Sequence, residues 1–286
     1  MLRSLVQIRS RASPVATISS MNRRGNERLL SSTSSDNSSS EHLKAENAKS
    51  NGSNTEDRIL VLGGNGYVGS HICQEALRQG LVVSSLSRSG RYSLHENDSW
   101  VENVTWHQGD LLSPDSLKPA LDGVTSVISC VGGFGSNSHM FKINGTANIN
   151  AVKAAAEQGV KRFVYISAAD FGIMNYLLRG YYEGKRATEA EILDKFSNRG
   201  IILRPGFIHG TRQVGRIKLP LSIIGGPLEM VLKHAKFLTK VPLVGPLLIP
   251  PVKVTSVAKV AVHSATADLD FPSGVIDVHQ ILHLGQ

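Results

Sequence analysis

Residues 58–70, RILVLGGNGYVGS, decide the fold, because a short apolar run leads directly into a cluster of glycines. The run at 59–62 is continuously apolar, which is typical of a strand that is buried on both faces. The stretch that follows, SHICQEALRQG, places apolar side chains on one face of a helix that Gly80 ends. Residues 81–86 predict a second strand. The local order is therefore strand, glycine turn, helix and strand.

Glycines in such a turn have separate uses. One permits the tight turn, one lets a pyrophosphate approach the backbone, and one lets the helix pack closely on the strand. Exposed N–H groups and the helix dipole would then hold the phosphates. We therefore expect a nucleotide at this loop, and a turn with only a structural role is the alternative. The expected contacts are Gly63, Gly64, Asn65, Gly66, Tyr67, Val68 and Gly69.

The end of the second strand indicates which dinucleotide fits. A site specific for NAD normally carries Asp or Glu there, to accept hydrogen bonds from the adenosine ribose. This chain has SRSGR at 87–91, with no acid. Guanidinium groups suit a 2′-phosphate, so Ser87, Arg88 and Arg91 favour NADP(H), with NAD as the alternative cofactor. The other interpretation is that both arginines are solvated loop charges.

Strands and helices continue to alternate along the chain. Strands are predicted at 104–107, 126–131 and 162–167, and a helix at 141–158. This alternation predicts an α/β fold, a Rossmann-type doubly wound parallel sheet with helices on both faces. The ends of the third and fourth strands fall where adenine and ribose would lie, which adds Asp110, Leu111, Val131 and Gly132 as cofactor contacts. Asn144 is either a site residue or a cap or packing residue.

Several motifs occur together in one order. They are GGNGYVG (63–69), GDL (109–111), VGG (131–133), FVYISA (163–168), YYEGK (181–185) and RPG (204–206). In this order they resemble the short-chain dehydrogenase/reductase superfamily, in its extended and atypical branches, from Arg58 to about Val262. The sequence around GYYEGKR and ISAADF most resembles a mitochondrial group, which includes a dehydrogenase-like protein of coenzyme Q biosynthesis and the nucleotide-binding accessory subunit of respiratory complex I.

The resemblance implies catalytic roles for Tyr181, Lys185 and Ser167. Tyr181 and Lys185 are four residues apart, so on a helix they share a face. Lys185 would bind the nicotinamide ribose and lower the pKa of the Tyr181 phenol, which would exchange a proton with the substrate. Tyr182 is also placed for this exchange. Ser167 corresponds to the family's oxygen-stabilising Ser or Thr, but two alanines follow it; if Ser167 faces the sheet interior, that donor is absent.

The first 57 residues differ in composition from the rest. Residues 1–30 hold six arginines against Glu27 alone, together with many serines, which predicts a mitochondrial transit peptide, with a chloroplast address as the alternative. Residues 31–57 are serine-rich and lack aromatic side chains, which predicts a disordered linker. We expect a nucleotide-binding domain at 58–206, and a small substrate cap with the last sheet strand at 207–286.

The excess of positive charge is local. Between Arg212 and Lys259 eight Lys or Arg stand against Glu229 alone, interleaved with aliphatic residues. This mixture suits contact with an anionic membrane surface. The alternative is that the aliphatic residues form the core of the cap and the lysines lie on its solvent-exposed surface. Base stacking needs aromatic side chains and this segment has only Phe237, so we expect no nucleic acid partner. No apolar run is long enough to predict a transmembrane span.

Two cysteines, Cys73 and Cys130, exclude a disulfide scaffold and a zinc site of the usual spacing, so no metal is expected. The leading hypothesis is a mitochondrial matrix oxidoreductase, peripheral on the inner membrane, that uses NADP(H) and a hydrophobic, quinone-related substrate of ubiquinone biosynthesis or respiration. A non-catalytic nucleotide-binding subunit or assembly factor of a quinone-synthesising or respiratory complex is the alternative. Organellar RNA binding is a third.

Overall fold

The computed structural model describes residues 57–91, 98–214, 217–220, 249–267 and 273–286. The strands are β1 (Arg58–Leu62), β2 (Val82–Ser87), β3 (Val104–Gln108), β4 (Ser126–Ser129), β5 (Arg162–Ile166), β6 (Gly200–Leu203), β7 (Ile208–His209), β8 (Thr211–Val214), β9 (Ile217–Pro220), β10 (Val252–Lys253) and β11 (Gly274–Ile276). The helices are α1 (Tyr67–Arg78), α2 (Ser99–Glu102), α3 (Lys118–Leu121), α4 (Asn137–Phe141), α5 (Ala147–Glu157), α6 (Ile173–Leu177), α7 (Arg179–Phe196), α8 (Val254–Thr266) and α9 (Val278–Leu284).

Seven parallel strands form one sheet in the order β11-β6-β5-β4-β1-β2-β3. Strand order therefore reverses beside β1, which leaves a crevice at the carboxyl ends of β1 and β4, where open α/β sheets bind ligands. Two short pairs lie outside this sheet: β7 runs parallel to β10, and β8 is antiparallel to β9. The α/β Rossmann-type prediction is confirmed.

Alternate residues of β1 enter two separate cores. Ile59 and Val61 belong to the core shared with α1, α8 and α9, whereas Leu60 and Leu62 belong to the core shared with α3, α5 and α7. Because neighbouring residues of a strand point to opposite faces, a strand covered by helices on both sides must be apolar throughout. This is why 59–62 is continuously apolar.

The helix predicted at 141–158 differs from the one observed. It begins earlier, with α4 at Asn137, because the Ser136 hydroxyl accepts a hydrogen bond from the His139 amide and caps it. A π-helical segment, Lys142–Thr146, then joins α4 to α5. At this segment Gly145 lies against Gly184 of α7, and a Cβ at Gly145 would be 3.0 Å from the Gly184 Cα. The wider turn thus accompanies a close approach of two helix backbones.

The predicted transit peptide and nearly all of the linker lie outside the described residues, as does most of the basic segment 212–259. Within the predicted cap region, β11 joins the main sheet beside β6. No helix in the described ranges combines the length and apolarity needed to cross a membrane. The described residues also hold no group of three or more His, Cys, Asp or Glu side chains that could bind a metal ion.

Candidate functional site

The turn between β1 and α1 requires glycine for steric reasons. Gly63 has a φ of +85°, in the left-handed region that favours glycine. A Cβ at Gly64 would lie 2.3 Å from the Ser85 Oγ, and a Cβ at Gly69 would lie 2.1 Å from the Gly63 carbonyl oxygen. The N-cap of α1 is Gly66, whose lack of a side chain leaves the first turn without a side-chain cap. Its first N–H groups are thus suited to an anion, as a pyrophosphate site requires.

A cavity of about 470 Å³ opens beside this turn. Nine of the predicted cofactor contacts line it: Gly63, Asn65, Gly66, Ser87, Arg88, Asp110, Leu111, Val131 and Gly132. Five further lining residues were not predicted: Leu86, Ser89, Cys130, Ile143 and Ala147. Ile143 and Ala147 have the i, i+4 spacing of a shared helix face, so the helix after VGG carried a signal for them.

The remaining predicted contacts lie around the cavity rather than on its wall. Gly64 packs against β2, Gly69 packs against the turn, and Tyr67 and Val68 form the first turn of α1. Arg91 pairs with Glu102 of α2, and both side chains are more than half exposed. Arg88, in contrast, is part of the cavity wall.

Hydrogen bonds fix the loop that follows β2. Asn65 Nδ2 in the glycine turn donates to the Ser89 Oγ at 2.7 Å, which ties the two loops together. The Ser87 hydroxyl donates to the Gly90 carbonyl at 2.9 Å, and Gln108 Nε2 donates to the Arg88 carbonyl at 3.0 Å. The backbone that carries Arg88 is therefore held from both sides, and Arg88 lines the cavity.

Helix α7 brings Tyr181 and Lys185 close together, and Lys185 lies next to Gly132 of the cavity wall. The Lys185 side chain is buried, and its Nζ donates to the Ile166 carbonyl at 2.7 Å. The same Nζ lies 4.6 Å from the centre of the Tyr165 ring and 5.6 Å from that of Tyr181. A Cβ at Gly132 would be 3.5 Å from the Lys185 Nζ, so Lys185 lies next to this residue of the cavity wall.

Burial dominates the pKa values of this pair. Desolvation lowers the pKa of Lys185 to about 7, although the nearby Cys130 and Glu189 act in the opposite direction. Desolvation also raises the pKa of the Tyr181 phenol to about 12, with Tyr182 adding to the rise and the charge of Arg186 opposing it. The net shift of the Tyr181 pKa is upward here, because desolvation of the phenol outweighs the neighbouring positive charge. That Lys185 lowers this pKa when the dinucleotide is bound stays a prediction.

Ser167 is engaged by a buried carboxylate. Its Oγ donates to the Glu189 Oε1 and accepts a hydrogen bond from Arg186 Nη1 at 3.3 Å. Glu189 is only 4% exposed and is also paired with Arg186 and Arg204. Burial raises the pKa of Glu189, but hydrogen bonds from Arg204 and Ser167 and the two positive charges outweigh it, and the net shift is downward. Since a hydroxyl has one proton, this Ser167 has none to donate to a substrate oxygen.

Asn144 holds the loop after β4. It is fully buried, and its Nδ2 donates to the carbonyls of Gly133 and Met140, both at 2.8 Å. Its Oδ1 accepts from the Gly133 amide at 3.3 Å. The backbone carbonyl of Asn144 in turn accepts from the Tyr165 hydroxyl at 3.1 Å and the Thr188 hydroxyl at 2.9 Å. Of the two roles expected for Asn144, the contacts are those of a packing residue that shapes the cavity.

An NAD(P)H-binding family model matches residues 63–220, which include the glycine turn, the cavity and α7. The chain belongs to the NAD(P)-binding short-chain dehydrogenase/reductase family. The residues present fit a nicotinamide dinucleotide at this turn, because the first turn of α1 has no side-chain cap and the cavity follows the turn directly.

Both curated proteins and solved structures are similar to this family member. An uncharacterised chloroplastic protein of Arabidopsis thaliana is 44% identical over 232 residues, which cover 79% of this chain and 76% of that protein. MIOREX complex component 2 of Saccharomyces cerevisiae is 30% identical over 283 residues, which cover 79% of this chain and 98% of that protein. Among solved structures, Bordetella bronchiseptica WbmG in complex with NAD and UDP matches with a TM-score of 0.53 and 19% identity, over 78% of this chain and 72% of that one.

Proposed function

We propose that this chain is an organellar NADP(H)-dependent oxidoreductase that acts on a hydrophobic, quinone-related substrate. The observation that carries the proposal is that one cavity is lined by the glycine turn, by Arg88 and by Gly132, and that Lys185 lies next to Gly132. In a dinucleotide the diphosphate lies between the two riboses, so the glycine turn would hold the diphosphate, Arg88 the adenosine side and Lys185 the nicotinamide side.

The preference for the phosphorylated cofactor rests on Arg88. Of the two arginines in the described residues 87–91, Arg88 lines the cavity, whereas Arg91 is paired with Glu102. No carboxylate occurs between Ser87 and Arg91 to accept hydrogen bonds from an unmodified ribose. Asp110, at the end of β3, also lines the cavity and is the carboxylate on which NAD recognition would have to depend.

The proposed reaction needs one proton donor. When bound, the nicotinamide supplies a hydride to the substrate or accepts one from it. The phenol of Tyr181 gives its proton to the substrate oxygen, so that a quinone gains a hydride and a proton and becomes the hydroquinone, while NADPH becomes NADP⁺. Tyr181 then regains a proton from solvent. Lys185 holds the ribose hydroxyls and, because its pKa is lowered to about 7, changes charge close to neutral pH.

Apolar side chains at the carboxyl edge of the sheet support a hydrophobic substrate. The exposed ones follow the adjacent strands β4, β5 and β6: Phe134, Tyr176, Leu177 and Phe207. The charge of the segment 212–259 supports approach to an anionic membrane surface. We place the nucleotide-binding domain at 58–206, the cap at 207–286, and the protein in the mitochondrial matrix, peripheral on the inner membrane. The Arabidopsis relative keeps the chloroplast as the alternative.

Calorimetry on the full-length chain tests the cofactor assignment. We expect tighter binding of NADPH than of NADH, and a smaller difference in Arg88→Ala. Arg91→Ala is the matched control, because its side chain is paired outside the cavity and its loss should leave the preference in place. Equal affinity of the unmodified chain for both coenzymes would contradict the assignment, and no binding of either would remove the proposed function altogether.

A second candidate function is a nucleotide-binding subunit or assembly factor without turnover. The contact that favours it is the one between Ser167 and Glu189, which withdraws the family's oxygen-stabilising hydroxyl. The yeast relative is, by its name, a component of a complex. Oxidation of NADPH with duroquinone, abolished in Tyr181→Phe, supports the enzyme. Tight NADPH binding without turnover, together with comigration with a large complex, supports the subunit.

A further inference from the structure

The loop after β4 presents one aromatic side chain next to Tyr181. Phe134 lies between Gly133, whose backbone is held on both sides by the Asn144 amide, and Ser136, which caps α4. Hydrogen bonds therefore hold the chain directly before Phe134 and two residues after it.

The ring of Phe134 stacks on the ring of Tyr181. Their centres are 4.9 Å apart and their planes differ by 9°. Tyr182 also contacts Tyr181, edge to face at 5.2 Å, but Tyr182 is buried, whereas Phe134 is 69% exposed. Within the part of the chain that the structure describes, Phe134 is thus the ring against Tyr181 that a substrate can still reach.

An exposed phenylalanine alone needs no explanation. Here the exposed ring adjoins the proposed proton donor, and any substrate oxygen that accepts a hydrogen bond from Tyr181 lies beside Phe134 as well, because the two rings are in contact. Aromatic rings attract in offset or edge-to-face arrangements. A flat unsaturated ring would gain this attraction at the position where it reacts, and a saturated ring or a sugar, which places only C–H groups against the ring, would gain less.

We propose that Phe134 is the specificity-determining residue of this site and that it selects substrates whose reacting oxygen is carried by a flat, conjugated ring. This deepens the proposed function and rests on it, since Tyr181 is taken as the proton donor. Phe134 also shields the Tyr181 ring from water, in agreement with the rise in the pKa of that phenol.

The test measures binding of two probes to the full-length chain saturated with NADP⁺, a state in which no hydride is available. Duroquinone has a flat conjugated ring with two carbonyls, and cyclohexane-1,4-dione has two carbonyls on a saturated ring. We expect Phe134→Ala to weaken duroquinone binding about three- to ten-fold, as the loss of one aromatic pair implies. Binding of the dione should change less than about two-fold.

Three variants separate aromatic contact from bulk and from folding. Phe134→Leu keeps an apolar side chain of similar size, and we expect it to weaken duroquinone binding nearly as much as Phe134→Ala. Phe134→Trp should restore it. Phe141→Ala is the matched control, because Phe141 is a 40% exposed phenylalanine on α4 that is not part of the Tyr181 stack, and it should behave as the unmodified chain does.

The outcomes are distinguishable. If the unmodified chain does not bind NADP⁺, the proposed function fails. If it binds NADP⁺ but not duroquinone, or if Phe134→Ala and Phe134→Leu bind duroquinone as tightly as the unmodified chain, the nucleotide site stands and the role of Phe134 is overturned. In a turnover assay with NADPH, a role in selection raises the KM for duroquinone with little change in kcat.

Discussion

The contact between the glycine turn and β2 can be tested by a pair of substitutions. A Cβ at Gly64 would meet the Ser85 Oγ at 2.3 Å, the Ser85 Cβ at 2.8 Å and the Cys73 Sγ at 2.9 Å. Ser85 is fully buried, so it cannot move aside into solvent. Overpacking of this kind destabilises a core by about 1–3 kcal/mol, and we expect that loss for Gly64→Ala.

The nearest clash is with a side chain, so it can be relieved. Ser85→Gly removes both Ser85 atoms at the cost of about 0.5–1 kcal/mol for a glycine in a strand. In the double variant Gly64→Ala/Ser85→Gly, we expect stability close to that of Ser85→Gly alone, which corresponds to a coupling of about 1–3 kcal/mol between the two sites. The Cys73 sulfur then remains 2.9 Å from the new methyl group.

Urea unfolding of the four proteins, followed by circular dichroism, gives this coupling. Gly66→Ala is the control, because Gly66 has an extended backbone with φ −85° and ψ 173°, and its Cβ would meet only the Gly63 carbonyl oxygen at 3.2 Å. We expect it to leave the free energy of unfolding nearly unchanged. If the destabilisations by Gly64→Ala and Ser85→Gly simply add, the steric argument for Gly64 is refuted.

Three further predictions concern the buried charges and the serine that contacts one of them. The pKa of Lys185 is lowered to about 7, so between about pH 7 and 10.5 the unfolded chain binds a proton that the folded chain does not, and the free energy of unfolding should rise with pH across this window. Urea midpoints from pH 6.5 to 9.5 should show this rise and lose it in Lys185→Met; an unchanged slope in the variant would contradict it. Glu189→Gln leaves Arg186 and Arg204 without their shared carboxylate, and because each is about one-third exposed we expect a loss of about 2 kcal/mol in the free energy of unfolding, less than for a fully buried pair. Ser167→Ala should lose about 1 kcal/mol and leave NADPH affinity unchanged, whereas a loss of that affinity would give Ser167 a role at the cofactor.

The sheet could be predicted from the sequence because its signals are local. The apolar run at 59–62 and the glycines after it place β1, the turn and α1, and the same alternation repeats along the chain. The nine cavity residues predicted from strand ends follow from one geometric rule, that parallel strands present their carboxyl ends at one edge. Such predictions need no knowledge of which side chains touch.

The contacts of charged side chains could not be predicted in this way. Arg88 and Arg91 are three residues apart in one loop, and only the fold shows that Glu102 engages the second of them. Ser167 and Glu189 are 22 residues apart, and nothing in either motif indicates their hydrogen bond. The pKa of Tyr181 was expected to fall, because the sequence shows the neighbouring lysine but not the burial that outweighs it. The position of a residue at a strand end depends on the nearby sequence, whereas the hydrogen-bond and ion-pair partners of its side chain depend on residues far along the chain.

The π-helical segment at Lys142–Thr146 determines which helix side chains face the dinucleotide crevice. Each residue of a regular helix turns by about 100°, so one residue fewer in this segment would rotate the side chains on one side of it away from their present partners on the other. Asn144 grips the loop after β4, while Ile143 and Ala147 face the cavity. Because of the wide turn, one helical segment provides both the buried Asn144 amide, which holds the loop, and the apolar side chains of Ile143 and Ala147, which line the cavity. A deletion that converts the π-helical segment into regular α-helix would therefore move these side chains away from the cavity, even if the regular helix were more stable by itself.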